Sequence, residues 1–340
     1  MAVYAGIDLH STNSYVAVID GEGKKVYRKK LPNDGAILLG GLEPYRRELQ
    51  GVVIESTFNW YWIVDLLMDE GYKVHLANPA GIQKYKGLKH SDDRSDAIWL
   101  AEMLRLGILP QGYIYPKEDR PVRDLLRKRM HLVRLRTSVI NSLQNIIARS
   151  VGGSLCADKM KQLTKDHVAE LLDGEEHLSL TGRVSKEVID HLTRQIKKIE
   201  KAALKKVRPL PQYRYLVTMP GVGEILGLTI TLETGDIGRF FGVGNYASYC
   251  RKVPVSWTSN DKKKGRGNKK NGNKYLSWAF AEAAELARRN DSSVRAWYNR
   301  KAGKKNMMVA RSALAHKLAR AAYHMMKQEV PFDQGRLFGY

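Results

Sequence analysis

Three short β-prone runs, Val3–Asp8, Tyr15–Asp20 and Lys25–Lys30, follow one another at the head of the chain, separated only by a Ser/Asn turn and a Gly-Glu-Gly turn. Runs joined so tightly are expected to pair as an antiparallel meander. A helical stretch over 37–49 follows, then the apolar strand Gly51–Ile54, a helix over Trp60–Glu70 and a strand over Lys73–Ala77. Ile98, Leu100, Ala101 and Leu104 recur at near-helical spacing and predict a helix over Ser91–Leu106. The opening is therefore an α/β domain of order βββαβαβα, assigned to residues 1–115.

That order is similar to RNase H-like domains, and acids stand at its strand ends. Asp8 closes the first strand in GIDLH, and Glu55 closes the fourth in VVIEST. Neighbouring strand ends can bring the two carboxylates together at one sheet edge. Asp93 and Asp96, in HSDDRSDA, lie three apart at a helix start and so share a face. Four converging acids suit a pair of Mg²⁺ or Mn²⁺ ions, which prefer hard oxygen ligands. Such a pair could activate an attacking oxygen and stabilise a leaving one in phosphoryl transfer. Asp92 could replace Asp93, and both acids of the helix could instead be dipole-favoured capping residues. His10 could assist the site or cap the turn. GIDLHSTNSYVAVID also resembles the phosphate-loop hairpin of actin-like sugar kinases. Those enzymes need a second Gly-rich phosphate loop, however, and neither that loop nor a Walker A motif is present, while GVGEILG has the wrong glycine spacing for a dinucleotide fingerprint.

Over residues 116–208 two helices are expected: Val122, Leu126, Val133, Ile140, Leu143 and Ile147 keep a helical period, as do Val188, Leu192, Ile196, Ile199 and Ala203 within Ser185–Val207. They read as antiparallel or intermolecular coiled-coil arms, or as a helical hairpin packed in cis, with the polar, Gly-containing stretch 150–181 as tip or hinge. After Pro209 a separate, mainly α domain (209–340) is expected. Its parts are LVTMPGVG, helices over Glu224–Thr234 and Gly242–Cys250, a basic loop over Asn260–Asn273, and Ala-rich helices over Tyr275–Arg288 and Met308–Lys327. MPGVGEI is similar to a helix-hairpin-helix turn, where glycines let N–H groups approach a phosphate, or is simply a tight interhelical turn.

Charge points to the partner. The chain carries 57 Lys+Arg against 35 Asp+Glu, a formal +22, opposite in sign to a phosphate backbone. The excess gathers after Phe240, where 21 Lys+Arg face 6 Asp+Glu. In VPVSWTSNDKKKGRGNKKNGNKYL, Lys262, Lys263, Lys264, Arg266, Lys269, Lys270 and Lys274 suit backbone neutralisation, and glycines 265, 267 and 272 permit close approach to a polymer. A serine beside that run could attack a phosphodiester. Cys156 and Cys250 are too few and too far apart for a disulfide framework or a Cys-based zinc site. No apolar run nears the roughly 20 residues of a membrane span, and the N-terminus lacks a signal pattern. A cytoplasmic location without membrane contact is expected.

The ordered segments GIDLH, VIEST, SDDRSDA, LVTMPGVG, LETGDIGRFFGVGNYASYCRKVPVSWTSN and NGNKYL look like the DEDD transposases of a large bacterial insertion-sequence family, which includes pilin-gene invertases and bridge-RNA-guided recombinases. The match spans nearly the whole chain. The resemblance implies a RuvC-like domain with Asp8, Glu55, Asp93 and Asp96 as Mg²⁺ ligands, a coiled-coil region, and a transposase domain with a nucleophilic serine. In the family that serine stands five residues after a proline and before a glycine. Here the position is Ser259, after Pro254, although Asn260 follows it. Ser256 is the alternative, for which helix capping or packing would suffice as a role. Gly272–Asn273 falls where the family has Gly-Asn or Gly-Asp and anchors the register. The resemblance further implies a homodimer or homotetramer on donor and target DNA, directed by a structured bridge RNA, a 5′-phosphoseryl intermediate, and a nucleoid-associated enzyme. A metal-dependent structure-specific nuclease and a catalytically silent nucleic-acid-binding regulator are the alternative functions.

Overall fold

Apolar residues occupy nearly every position of β1 (Val3–Leu9), and a strand of that kind must be covered on both faces. In the computed structural model, which describes residues 1–82, 93–253, 256–259, 262–266 and 271–338, β1 is the central strand of a five-stranded sheet. Together with β2 (Asn13–Asp20) and β3 (Lys25–Pro32) it forms the expected antiparallel meander; β4 (Leu49–Glu55) and β5 (Val74–Ala77) add parallel strands on the other side, giving the order β3-β2-β1-β4-β5. Val3, Ala5, Ile7 and Leu9 share one face with Val52 and Ile54, packed with Leu38 and Leu42 of α1 (Gly35–Leu42) and Ile63, Val64 and Leu67 of α2 (Tyr61–Asp69). Each such buried aliphatic side chain contributes about 1.5–3 kcal/mol. Asp34 caps α1 by accepting from Ile37 N at 3.0 Å. The helix ends earlier than its predicted limit at 49, because Pro44 opens a 3₁₀ turn over Glu43–Tyr45 that leads into β4.

The opposite face of the sheet carries α4 (Asp93–Arg105), which follows the short α3 (Pro79–Ile82). Leu100 and Met103 of α4 pack on Val53 and Ala77. Its seat on β1 depends on Gly6. A Cβ there would lie 2.0 Å from Ala97 O and 2.9 Å from Ala101 N, both backbone atoms, so no other residue lets helix and strand approach so closely.

Met1–Lys117 forms one compact unit and Glu118–Tyr340 another. In the second, α5 (Arg120–Val151) and α8 (Glu176–Val207) pack antiparallel within the chain. Leu126 meets Ala203 and Val207 at one end, Arg129 pairs with Glu200 at 2.7 Å, and Arg136 donates to Thr193 Oγ1 at 3.1 Å. At the far end Ile140, Leu143, Ile147 and Ile189 enclose Met160, Val168 and Leu172. The stretch read as a tip or hinge therefore has its own core, built on two helices, α6 (Ala157–Gln162) and α7 (Lys165–Glu170), and α8 begins at Glu176 rather than Ser185. The last residues of the unit form α9 (Pro211–Leu216), α10 (Glu224–Thr234), α11 (Val243–Tyr249), β6 (Ser256–Ser259), β7 (Lys262–Arg266), α12 (Lys274–Asn290), α13 (Ser292–Lys304), α14 (Met307–Gln328) and α15 (Gln334–Phe338). Alanines 279, 283, 284 and 287 of α12 and 310, 315, 319 and 322 of α14 let these helices approach around Tyr246, Phe280, Leu314 and Leu318. Further segments differ from expectation, among them α15, where no helix was expected. The start of the basic loop is a β-hairpin, and α13 was not foreseen. Among the described residues no helix is long and apolar enough to cross a membrane.

Candidate active site

The sheet register decides which acids meet. β1 and β4 pair in parallel with Gly6 opposite Val53 and Ile7 opposite Ile54, so continuing by one residue sets Asp8 beside Glu55 at the C-terminal edge. Side chains alternate along a strand. Ile7 and Ile54 face the α1–α2 core, while Gly6 and Val53 face α4, so Asp8 and Glu55 fall on the α4 side. Asp96 immediately precedes Ala97, the residue seated over Gly6. Asp8 and Glu55 thereby share the face that α4 covers, and Asp96 stands in the first turn of that helix. Asp93 opens α4 one turn earlier; its side chain, Asp92 as a whole, and the remainder of 83–92 lie outside the described residues. Among the described residues no three His, Cys, Asp or Glu side chains stand close enough to enclose an ion. The donor set, carboxylate oxygens alone, is nevertheless of the hard kind that Mg²⁺ and Mn²⁺ take.

Asp8 is 6% exposed, and His10 Nε2 lies 3.2 Å from its Oδ2. The His10 main chain is clamped in turn: its carbonyl accepts from Asn33 Nδ2 at 2.9 Å and from Asn59 Nδ2 at 3.0 Å. Ser14 Oγ donates to Asn33 Oδ1 at 2.6 Å and Thr57 Oγ1 to Asn59 Oδ1 at 3.0 Å, so both amides are oriented. These asparagines join the ends of β1, β3 and β4 beside the acids. Sequence reasoning passed over them, since only pairing shows that they converge.

In the second unit Ser259 pairs with Lys262 at the turn end of the β6–β7 hairpin, and Ser256 pairs with Arg266 at its open end. Ser256 therefore belongs to a strand, and the helix-capping role considered for it does not apply. Lys262 is exposed; Lys263, Lys264 and Arg266 lie on β7, with their side chains outside the described residues, as are Lys269 and Lys270 entirely. Lys274 opens α12 with its Nζ 5.2 Å from the Tyr275 ring centre. In the MPGVGEI turn, Gly221 (φ 79°) lies against the α12 backbone at Ala283 and Ala287, which accounts for it by packing.

A buried ionic cluster went unread in the sequence. Glu233, 2% exposed, accepts from Arg127 Nε at 2.6 Å and Nη2 at 2.7 Å, and from Asn273 Nδ2 at 2.7 Å. The guanidinium also lies 4.7 Å from the Tyr275 ring centre. Burial lowers its proton affinity, but the bonds to Glu233 outweigh burial and hold Arg127 above its ordinary pKa. The sequence signal was an acid interrupting the apolar run GLTITLET.

Two family models match the chain, one after the other. A DEDD transposase family model matches residues 5–150, and a model described as "Transposase IS116/IS110/IS902 family" matches residues 213–299. The chain is 24% identical over 347 residues to the transposase for insertion sequence element IS1111A of Coxiella burnetii, covering 97% of this chain and 91% of that protein. It is 23% identical over 295 residues to the putative transposase y4qE of Sinorhizobium fredii, covering 83% and 70% respectively. It is 22% identical over 357 residues to an uncharacterized 44.8 kDa protein of insertion element IS116 from Streptomyces clavuligerus, covering 88% of each. With both models matched in order along more than half its length, the chain belongs to the IS110 family of DEDD insertion-sequence transposases and is a DNA transposase.

Proposed function

We propose that this transposase cuts and rejoins DNA with two sets of residues: an RNase H-like unit in which Asp8, Glu55, Asp93 and Asp96 hold Mg²⁺ or Mn²⁺, and a hairpin that presents Ser259 as nucleophile. The observation that carries the reading is the β1–β4 register, which aligns Asp8 with Glu55 on the face crossed by α4 just before Ala97. The sheet order, antiparallel then parallel about a central β1, agrees with an RNase H-like domain. Bound there, a divalent cation supplies charge neutralisation and oxygen polarisation for phosphoryl transfer.

Ser259 Oγ attacks the phosphorus of a scissile phosphodiester; the Oγ–P bond forms, the P–O3′ bond breaks, and the departing 3′ oxygen takes a proton. The strand is then held as a 5′-phosphoserine until a 3′ hydroxyl from the recombining strand attacks the same phosphorus and releases the serine. Lys262, Lys263, Lys264, Arg266, Lys269, Lys270 and Lys274 neutralise the adjoining phosphates. A strand-borne serine at the turn end of the hairpin suits this role better than Ser256, which lies at its open end. Following the family resemblance, two or four copies assemble on donor and target DNA with a structured bridge RNA that selects the sites.

The deciding experiment traps the intermediate on a nicked suicide substrate and maps it by mass spectrometry. Ser259→Ala is expected to bind DNA and form no protease-sensitive adduct, whereas Ser256→Ala keeps the adduct. A phosphopeptide modified at Ser256, or no adduct from the unaltered protein, overturns the serine assignment.

A further inference from the structure

The carboxylate site and the hairpin leave the Glu233 cluster without a task. Glu233 stands at the C-terminal end of α10, where the helix dipole disfavours an anion, and it is buried. Removing Arg127 would leave the Glu233 carboxylate buried without its counter-charge. Its amide partner is fully committed. Asn273 Oδ1 accepts from Tyr275 N at 2.8 Å and Leu276 N at 3.1 Å, capping α12, and its Nδ2 faces Glu233. The backbone around Asn273 is tied to the far end of α11. Asn273 N donates to Tyr249 O at 2.6 Å, and Arg251 Nε and Nη2 donate to Gly272 O at 3.1 and 2.8 Å. Gly272, at φ 84°, permits this, because a Cβ would lie 2.5 Å from Tyr249 O. Lys252 O accepts from His316 Nδ1 at 3.1 Å. The chain thus leaves α11 and enters α12 at one pinned point, and the strands Ser256–Ser259 and Lys262–Arg266 lie between the two in sequence.

We infer that Glu233, acting with Arg127 and Asn273, is the positioning centre of the serine hairpin, setting where Ser259 stands while contacting neither the DNA nor the reacting phosphate. The inference rests on the serine reading above. It makes a demand that simple stability does not: an acid must stand at 233 and an amide at 273, or the reverse. Asn273→Asp preserves the cap but sets two carboxylates against each other. Adding Glu233→Gln removes that repulsion and lets the new amide donate to the carboxylate at position 273, while Arg127 keeps its Nε bond to the amide oxygen and loses the Nη2 bond, because Nη2 and Asn273 share one Glu233 oxygen.

The full-length protein and the Asn273→Asp, Glu233→Gln and doubly substituted forms are compared by thermal melting, duplex affinity, adduct rate on the suicide substrate, and hydrogen exchange of the 256–266 amides. For Asn273→Asp, affinity should stay within about twofold because the phosphate contacts are untouched. Its adduct rate should fall by about a hundredfold, the effect of an ångström-scale misplacement. The hairpin amides should exchange faster, and the double substitution should recover part of both rate and protection. Wild-type rate and protection in Asn273→Asp, or a double variant that melts normally yet stays as slow, would overturn the inference. If the unaltered protein forms no adduct, only the serine reading fails, and the amides decide positioning. Should Asn273→Asp not fold, Arg127→Lys, which keeps the charge and loses the bidentate fork, must still loosen those amides; unchanged protection there refutes the idea.

Discussion

Gly6→Ala tests the contact that brings α4 to the acid-bearing edge. The added Cβ falls 2.0 Å from Ala97 O, whereas ordinary contact begins at 3.4 Å, so helix and strand must separate by about 1.4 Å, the difference between the two. Both opposing atoms are backbone, so no rotamer relieves the overlap. Overpacking of this kind costs about 1–3 kcal/mol. For the unit Met1–Lys117, each kilocalorie lowers Tm by about 4–8 °C. Against a stability of about 5–15 kcal/mol the variant remains folded at 25 °C. Recombination should nevertheless fall by about a hundredfold, because Asp96 moves with α4 by more than the tolerance of a catalytic array. Circular dichroism melts and strand-transfer assays on the same preparation measure the two effects. Gly40→Ala on α1, where a Cβ meets nothing within 4 Å, is the control and should be neutral or slightly stabilising. A Gly6→Ala protein that melts within about 1 °C of the parent, where even 1 kcal/mol would show, and recombines normally would refute the view that this contact fixes the site.

Asp8→Asn, Glu55→Gln and Asp96→Asn should each abolish recombination and weaken Mn²⁺ binding by calorimetry while the melting curve persists; full activity in any of them removes that residue from the site. Replacing Lys262, Lys263 and Lys264 together with alanine should shallow the dependence of log affinity on log salt by up to about 0.9 per lost phosphate contact on duplex DNA, and an unchanged slope would make them solvated residues of no consequence for binding. Burial pushes the Cys250 thiol up to about 12, whereas Cys156 is exposed, so iodoacetamide at pH 8 should label Cys156 alone until denaturant is added. Prompt labelling of Cys250 in the folded protein would show that its surroundings open.

The parts legible in the sequence were those whose physics is local. β1 to β3 announced themselves through short turns, and Asp8 and Glu55 stood out as acids ending apolar strands. The helix expected to reach 49 stopped at Leu42 because one proline outweighs a favourable run. The β6–β7 hairpin was hidden because Lys262, Lys263, Lys264 and Gly265 are poor strand formers; that strand exists through pairing with Ser256–Ser259. In α6 and α7 the apolar residues Met160 and Val168 are too sparse to show a period, and they are buried only once α5 and α8 have met. Glu233 was the hardest to read, since the arginine that neutralises it lies 106 residues earlier.

The paired helices α5 and α8 also have a mechanical consequence. An α-helix of 32 residues is about 48 Å long, so a tilt of about 5° at its root sweeps the far end through roughly 4 Å. Arg127 lies close to that root, beside Leu126 in the cluster with Ala203 and Val207. So near the fulcrum, a load applied at the α6–α7 end arrives mainly as torque rather than translation. The two parallel N–H···O bonds between Arg127 and Glu233 keep their geometry only while the guanidinium and carboxylate stay coplanar, which makes rotation the motion they resist most. One continuous helix, α5, thus joins the core around α6 and α7 to the ion pair that Asn273 completes.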